Sequence, residues 1–278
     1  MAINNSIRKF IPEKLREKLR NQKLPMLLLR YALENEWFCK KYNGINDLTV
    51  LTDSTVTIEI EDMKFHLPSL RDIDIISEVV IDRRYNYRYE FKAGDTMIDI
   101  GAHVGVFSVL AAKMCGQKSL IIAIEPESSN QRLLEENIST NNVKERVIVI
   151  KGAVGSIEEN RKFYLSKYSQ GHSFQGIDQT DKAINKFMTV KMHTIDSIVE
   201  QLQLEHIDFI KIDAEGWEVE ALKGAQNLIK RQNIDLAIAA YHKIHNKKTP
   251  EVEQVTNLLR QLGINNITTE YSHIYAKN

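Results

Sequence analysis

The chain has 278 residues, enough for one large domain or a core domain with an extension, and enough to bury a stable core without staples. Lys+Arg and Asp+Glu both number 37, and so balanced a charge gives no support to bulk nucleic-acid binding. The two cysteines, Cys39 and Cys115, have neither disulfide-framework nor metal-site spacing, which points to a reducing compartment and a cytoplasmic location.

The N-terminal stretch holds no apolar run long enough for a signal peptide or a bilayer span. Residues 8–30 carry eight Lys/Arg and two Glu beside an apolar stripe of Phe10, Ile11, Leu15 and Leu19. They read as a solvated helix docked on its own domain, with weak contact to an anionic membrane surface as the alternative. Residues 48–69 alternate in short runs and predict two or three antiparallel strands, so residues 1–69 form an extension of helix and β-hairpin. The text SEVVIDRRYNYRYEF predicts a helix leading into a core domain over 70–278.

From there apolar runs and helical patterns alternate: strand 96–101, helix 104–115, strand 119–125, helix 128–140, strand 147–151. Such alternation implies an α/β fold with a mostly parallel sheet and helices on both faces. A polar stretch at about 155–193 interrupts it and reads as an inserted hairpin or flap. Alternation resumes with helix 194–203, strand 207–212, helix 217–231 and strand 234–241. A helix at 250–262 and two short strands, 264–270 and 272–277, close the chain as a terminal antiparallel hairpin.

The text MIDIGAHVGVFS hands a buried strand to a helix through a glycine turn. Glycine lets a backbone approach a ligand closely, and the first N–H groups of a helix lack partners. The spacing Gly101-x-x-x-Gly105 is not the G-x-G-x-x-G of a dinucleotide site. Asp99 at the mouth of the turn would repel a pyrophosphate and attract a sulfonium, which favours S-adenosylmethionine. Glu125, at the end of the second strand, stands near the separation at which an acid binds ribose hydroxyls; its other reading is a helix-end acid. Ala153 and Val154 follow the third strand where an adenine edge would lie. The candidate cofactor residues are therefore Asp99, Gly101, Ala102, His103, Gly105, Glu125, Pro126, Ala153 and Val154.

The fourth strand emerges into Asp213 and Glu215, which alternation sends to one side at the carboxyl end of the sheet. Lys211 is expected to pair with one of them. His242, after the fifth strand, is a candidate general base, since an unperturbed imidazole is partly neutral at pH 7. Asp213, His242 and Glu215 are thus the candidate catalytic residues, and His172 with Ser173 in the flap the candidate acceptor contacts. Asp213, Glu215 and His242 could also ligate Mg²⁺, although no metal is expected.

In order, MIDIGAHVGVFS, AIEPE, GAVGS, TIDS and IKIDAEGWEVEALKGA resemble the FkbM family of S-adenosylmethionine-dependent methyltransferases, over about residues 90–245. The resemblance implies a Rossmann-like class I fold and O-methylation of hydroxyls on sugars, glycoconjugates or natural-product scaffolds. It places Asp99, Gly101 and Gly105 at the methionine end of the cofactor, Glu125 at the ribose and Asp213 at the reaction centre. The expected partner is a small-molecule or glycan acceptor, not nucleic acid: an N/D-P-P-Y platform is replaced by DAEG, and neither cysteine is placed to attack a pyrimidine. The alternatives are an NAD(P)-binding oxidoreductase and a methyltransferase fold without catalysis.

Overall fold

The computed structural model describes residues 45–50, 55–69, 72–166, 172–174, 185–242 and 251–278. The basic segment 8–30 and Cys39 lie outside the described residues, as does most of the flap tip. The chain divides into two units, residues 1–82 and 83–278. Among the described residues no helix is long and apolar enough to cross a membrane.

In the first unit, β1 (Ile45–Val50), β2 (Val56–Ile60) and β3 (Met63–Leu67) form an antiparallel sheet in the order β1-β2-β3. Met63, Phe65 and Leu67 are buried at every second position of β3, the signature of a strand with one covered face. A short helix, α1 (Ile73–Ile76), runs on as a π-turn to Ile81. The longer helix predicted from residue 77 does not form.

The second unit begins with irregular chain from Arg83, whose φ of 54° is left-handed. Tyr85 and Tyr89 are nevertheless buried there. The main sheet contains β4 (Thr96–Ile100), β5 (Leu120–Glu125), β6 (Val147–Lys151), β10 (Phe209–Ile212), β11 (Asp235–Ala239), β12 (Asn266–Glu270) and β13 (His273–Lys277). Its order is β12-β13-β11-β10-β4-β5-β6, with β13 antiparallel to both neighbours and the other pairs parallel. This is the Rossmann-like sheet with a terminal antiparallel hairpin that the alternation and the resemblance imply. One face of its centre carries Ile98, Ile122, Ile210 and Ile238 and the other buries Met97, Ile121 and Phe209, as a sheet covered on two sides requires.

Between the strands run α2 (Val106–Cys115), α3 (Ser128–Thr140) and α4 (Ile195–Gln201). Then come α5 (Glu218–Lys223), α6 (Gln226–Arg231) and α7 (Glu251–Gln261). The single helix predicted over 217–231 is two. The carbonyl of Gly224 accepts the N–H of Asp196 at 2.9 Å, and the Asp196 carboxylate accepts from Asn227 and Leu228, capping α6 as a fresh helix. A third sheet joins β7 (Ala153–Val154), β9 (Phe187–His193) and β8 (Glu159–Tyr164) in the order β7-β9-β8. The antiparallel β8/β9 pair is the predicted insertion, and Phe163, Val190 and Met192 give it its own small core.

Candidate active site

The strand order reverses between β4 and β10, and the crevice at the carboxyl ends of that pair is where open α/β sheets bind ligands. Gly101 has φ +72°, and a β-carbon there would stand 1.8 Å from the carbonyl oxygen of Asp213. The glycine is thus demanded by the close approach of the two strand ends as well as by the turn. Gly105, at φ +82°, serves packing, since its β-carbon would meet Leu134 Cδ1 at 2.3 Å. The N–H groups of Gly101 and Ala102 donate to the Ile124 carbonyl, and that of Gly105 to Ala102. The expectation that these amides await a ligand is corrected: they build the turn.

Asp99 is also corrected. It is fully buried, accepting from Ser108 Oγ at 2.6 Å and Lys211 Nζ at 2.9 Å, and so cannot meet a ligand at the mouth. Lys211 lies beside Asp99 in the β4/β10 register and donates its remaining bonds to the carbonyls of Ile100 and Gly101. It does not pair with Asp213 or Glu215, contrary to the expectation. Among the described residues at these strand ends the groups left facing the crevice are carboxylates, acceptors that suit a sulfonium and a ribose better than a pyrophosphate.

Glu125 ends β5 with Oε2 accepting from the His103 N–H at 2.9 Å and Oε1 from Glu127 N at 2.9 Å and Asn130 Nδ2 at 3.3 Å. Burial lifts its pKa to about 7. Glu127 caps α3 through Asn130 N at 2.8 Å, and Glu125 accepts from the chain at the same helix start without capping it. His103 has φ +51° within the turn, and Pro126 is half-buried beside Glu125. Val154 belongs to the main core and Ala153 to the small one, so their side chains offer no apolar wall to an adenine; only backbone remains for that role.

Asp213 follows β10. Its Oδ2 accepts from Tyr85 Oη at 2.7 Å, and its Oδ1 lies 3.7 Å from His242 Nε2. Glu215 Oε2 is 3.6 Å from the same nitrogen. On the other side of the ring, Nδ1 is 3.1 Å from Glu218 Oε1 and 3.6 Å from Glu251 Oε2. Glu218 Oε1 also accepts from the N–H groups of Ala214 and Gly216, and Glu251 Oε2 from His242 N. Four carboxyl groups therefore surround one buried imidazole.

Burial alone would lower the His242 pKa, but Glu218 first, then Glu215 and Asp213, hold the ring protonated well above its ordinary range. Burial and the adjacent Glu218 raise Glu251, leaving it a neutral acid, whereas His242 and hydrogen bonds keep Glu218 ionised. The expectation of His242 as a neutral general base is overturned: an imidazolium has no lone pair to take a proton. The flap pair also differs. Ser173 is buried in a backbone bridge to Tyr164, and His172 packs edge-on to Phe163, with Glu127 and Lys186 as its charged surroundings.

The structure thus gathers Asp213, Glu215 and His242 and sets Glu125 apart at the end of β5, with His172 and Ser173 in the insertion. Sequence reasoning missed Tyr85, Glu218 and Glu251. Glu218 lies within the quoted KIDAEGWE block, where it reads as a helix start; Glu251 has no signal, because its meeting with Glu218 is made by the fold alone.

The profile of the Methyltransferase FkbM domain matches residues 99–265. Hexuronic acid methyltransferase AglP of Haloferax volcanii is 24% identical over 153 residues, covering 55% of this chain and 58% of AglP. AMB antimetabolite synthetase AmbE of Pseudomonas aeruginosa is 20% identical over 221 residues, 68% of this chain but 10% of AmbE. The chain therefore spans a small part of AmbE and little more than half of AglP. A crystal structure of methyltransferase FkbM from Methylobacillus flagellatus superposes with a TM-score of 0.49 at 21% identity, covering 69% of this chain and 46% of that one.

Proposed function

This chain belongs to the FkbM family of S-adenosylmethionine-dependent methyltransferases, and on that premise we propose that it methylates a hydroxyl of a sugar, glycoconjugate or natural-product scaffold. The observation that carries the reading is the convergence of Asp213 and Glu215 on His242 beside the Gly101 turn. Partly exposed carboxylates at this point can hold a hydroxyl and receive its proton. The hexuronic acid acceptor in the name of AglP supports the same class, since a uronic acid is a polyhydroxylated ring.

When bound, the cofactor would supply an electrophilic sulfonium methyl to the acceptor oxygen. The Gly101–Gly105 turn shapes its seat, and Glu125 accepts its ribose hydroxyls. Asp213, fixed by Tyr85, and Glu215 orient the acceptor and take the released proton. His242, held protonated, balances part of the charge of these two carboxylates and does not act as base. Orientation of two bound reactants is worth about 7–11 kcal/mol in favourable cases, the larger part of what such a site has to provide.

The test is incubation of the full chain with methyl-labelled S-adenosylmethionine and a panel of uronic acid glycosides, neutral sugars and polyhydroxylated scaffolds, with products located by mass spectrometry. Label in a methyl ether supports the reading. Label found only on nitrogen or carbon, or turnover of amines alone, would overturn it.

A further inference from the structure

Around His242 the donor atoms are disposed in a way that hydrogen bonding does not account for. Asp213 Oδ1 and both ring nitrogens of His242 are shielded from solvent and lack an aligned hydrogen-bond partner, Nδ1 despite standing 3.1 Å from Glu218 Oε1. The two carboxylate oxygens stand 3.7 and 3.6 Å from Nε2, beyond the 2.7–3.2 Å of an N–H···O bond. The imidazole side chain is only 4% exposed. The ligand atoms of Asp213, Glu215 and His242 nevertheless lie within 4.8 Å of one another. Oxygen and nitrogen ligands at 2.1–2.5 Å from a common cation would lie about 3.0–3.5 Å apart at right angles, near the observed separations.

The remainder of the cluster has the form of a support for such a centre. Nδ1 of His242 faces Glu218 Oε1 at 3.1 Å, and that oxygen is itself fixed by two backbone N–H groups. A histidine that ligates a metal through one nitrogen commonly donates its other N–H to a carboxylate, which sets the ring's tautomer and orientation. Charge points the same way. Asp213, Glu215 and the ionised Glu218 all bring carboxylate oxygens to one imidazole. Asp213 and Glu215 are about a quarter exposed, so the two side chains reach the crevice although Asp213 Oδ1 and His242 Nε2 are themselves shielded.

We infer that Asp213 Oδ1, Glu215 Oε2 and His242 Nε2 form a binding site for a divalent cation of the Mn²⁺ or Mg²⁺ type, with Glu218 as the carboxylate that orients the histidine. The cation would displace the proton that Nε2 otherwise carries, and two carboxylate oxygens with one imidazole nitrogen suit a hard ion better than a thiophilic one. The inference rests on the reading of this corner as the acceptor site. There the cation would polarise the acceptor hydroxyl and ease loss of its proton, the difficulty left by the absence of a neutral histidine. It departs from the metal-free site expected from the sequence.

The experiment is a Mn²⁺ titration of the full chain, freed of metal by chelation and dialysis, followed by loss of the free-ion electron paramagnetic resonance signal. One Mn²⁺ per chain is expected, with affinity at least tenfold weaker in Glu215→Gln and 10–100-fold weaker in Glu218→Gln. Glu136→Gln, an exposed acid on α3, should bind as the wild type does. Thermal melts verify that each variant is folded. No uptake of Mn²⁺ by the wild type at millimolar concentration, or equal affinity in folded Glu215→Gln, overturns the inference. Because uptake is read without turnover, failure to form a methyl ether counts against the hydroxyl-methylation reading, and failure to bind Mn²⁺ against this one.

Discussion

Two buried charge clusters lie at the same edge of the central sheet and are balanced differently. Around Lys211, among the described residues, the charge balances: one ammonium meets one carboxylate, with Ser108 and two strand-end carbonyls as further partners. Around His242 it does not, because a single imidazole faces Asp213, Glu215, Glu218 and Glu251. Tyr85 touches both, its ring 5.0 Å from Lys211 Nζ and its hydroxyl on Asp213. A closed set of partners holds a fold together; an open one has capacity left for a ligand. The first cluster ties β4 to β10, and the second is where chemistry is to be sought.

The comparison breaks most sharply at Gly101, where the clusters meet. Gly101→Val puts a branched side chain at φ +72° and against the Asp213 carbonyl, so the strand ends must part. Calorimetry should find no binding of S-adenosylhomocysteine; normal binding would show that the turn is not part of the cofactor seat. Lys211→Met leaves Asp99 buried without its cation, and urea unfolding should show a loss of about 3–5 kcal/mol. A loss below 1 kcal/mol would mean that the Asp99 cluster is not the structural one.

Glu125 sharpens the contrast from the cofactor side. Its folded pKa of about 7 lies above the 4.5 of an ordinary glutamate, so folding favours the protonated form. That contribution is complete below pH 4.5 and is lost as pH rises to 7, a decline of about 3 kcal/mol. Glu125→Gln should remove this slope from the pH dependence of stability and cost about 1.5–3 kcal/mol in affinity for S-adenosylhomocysteine. An unchanged slope and affinity would make it a passive tie between turns. The smallest effect is expected at Glu215, in the crowded cluster. Removing one of several like charges by Glu215→Gln should alter metal-free stability by no more than about 0.5 kcal/mol. A loss of several kcal/mol would show that this cluster is structural too.

How far these clusters can be read in the sequence follows from what each depends on. The strand ending at Glu125 and the helix starting at Ser128 were legible, because an apolar run and a polar cap are local signals. The pairing of Lys211 with Asp99 was not, since it depends on the register that sets β10 beside β4. The break after Lys223 depends on Asp196, a cap supplied from another helix. Asp213, Glu215 and His242 were legible because they stand at strand ends, where ligands collect. Their mutual distances, and the two further glutamates that keep His242 charged, come from packing of α5 against α7 and are written in no single stretch. That is why the histidine's identity was found and its role was not.

The most direct measurement is of Asp213→Asn, which keeps the size of the side chain and removes its charge. Turnover on a hydroxyl acceptor and affinity for S-adenosylhomocysteine should be determined on the same preparation. The account predicts kcat lower by about 10²–10⁴ with cofactor affinity nearly intact, the scale of a lost acid–base group. A variant that turns over as fast as the wild type would contradict it and return the chemistry to another part of the crevice.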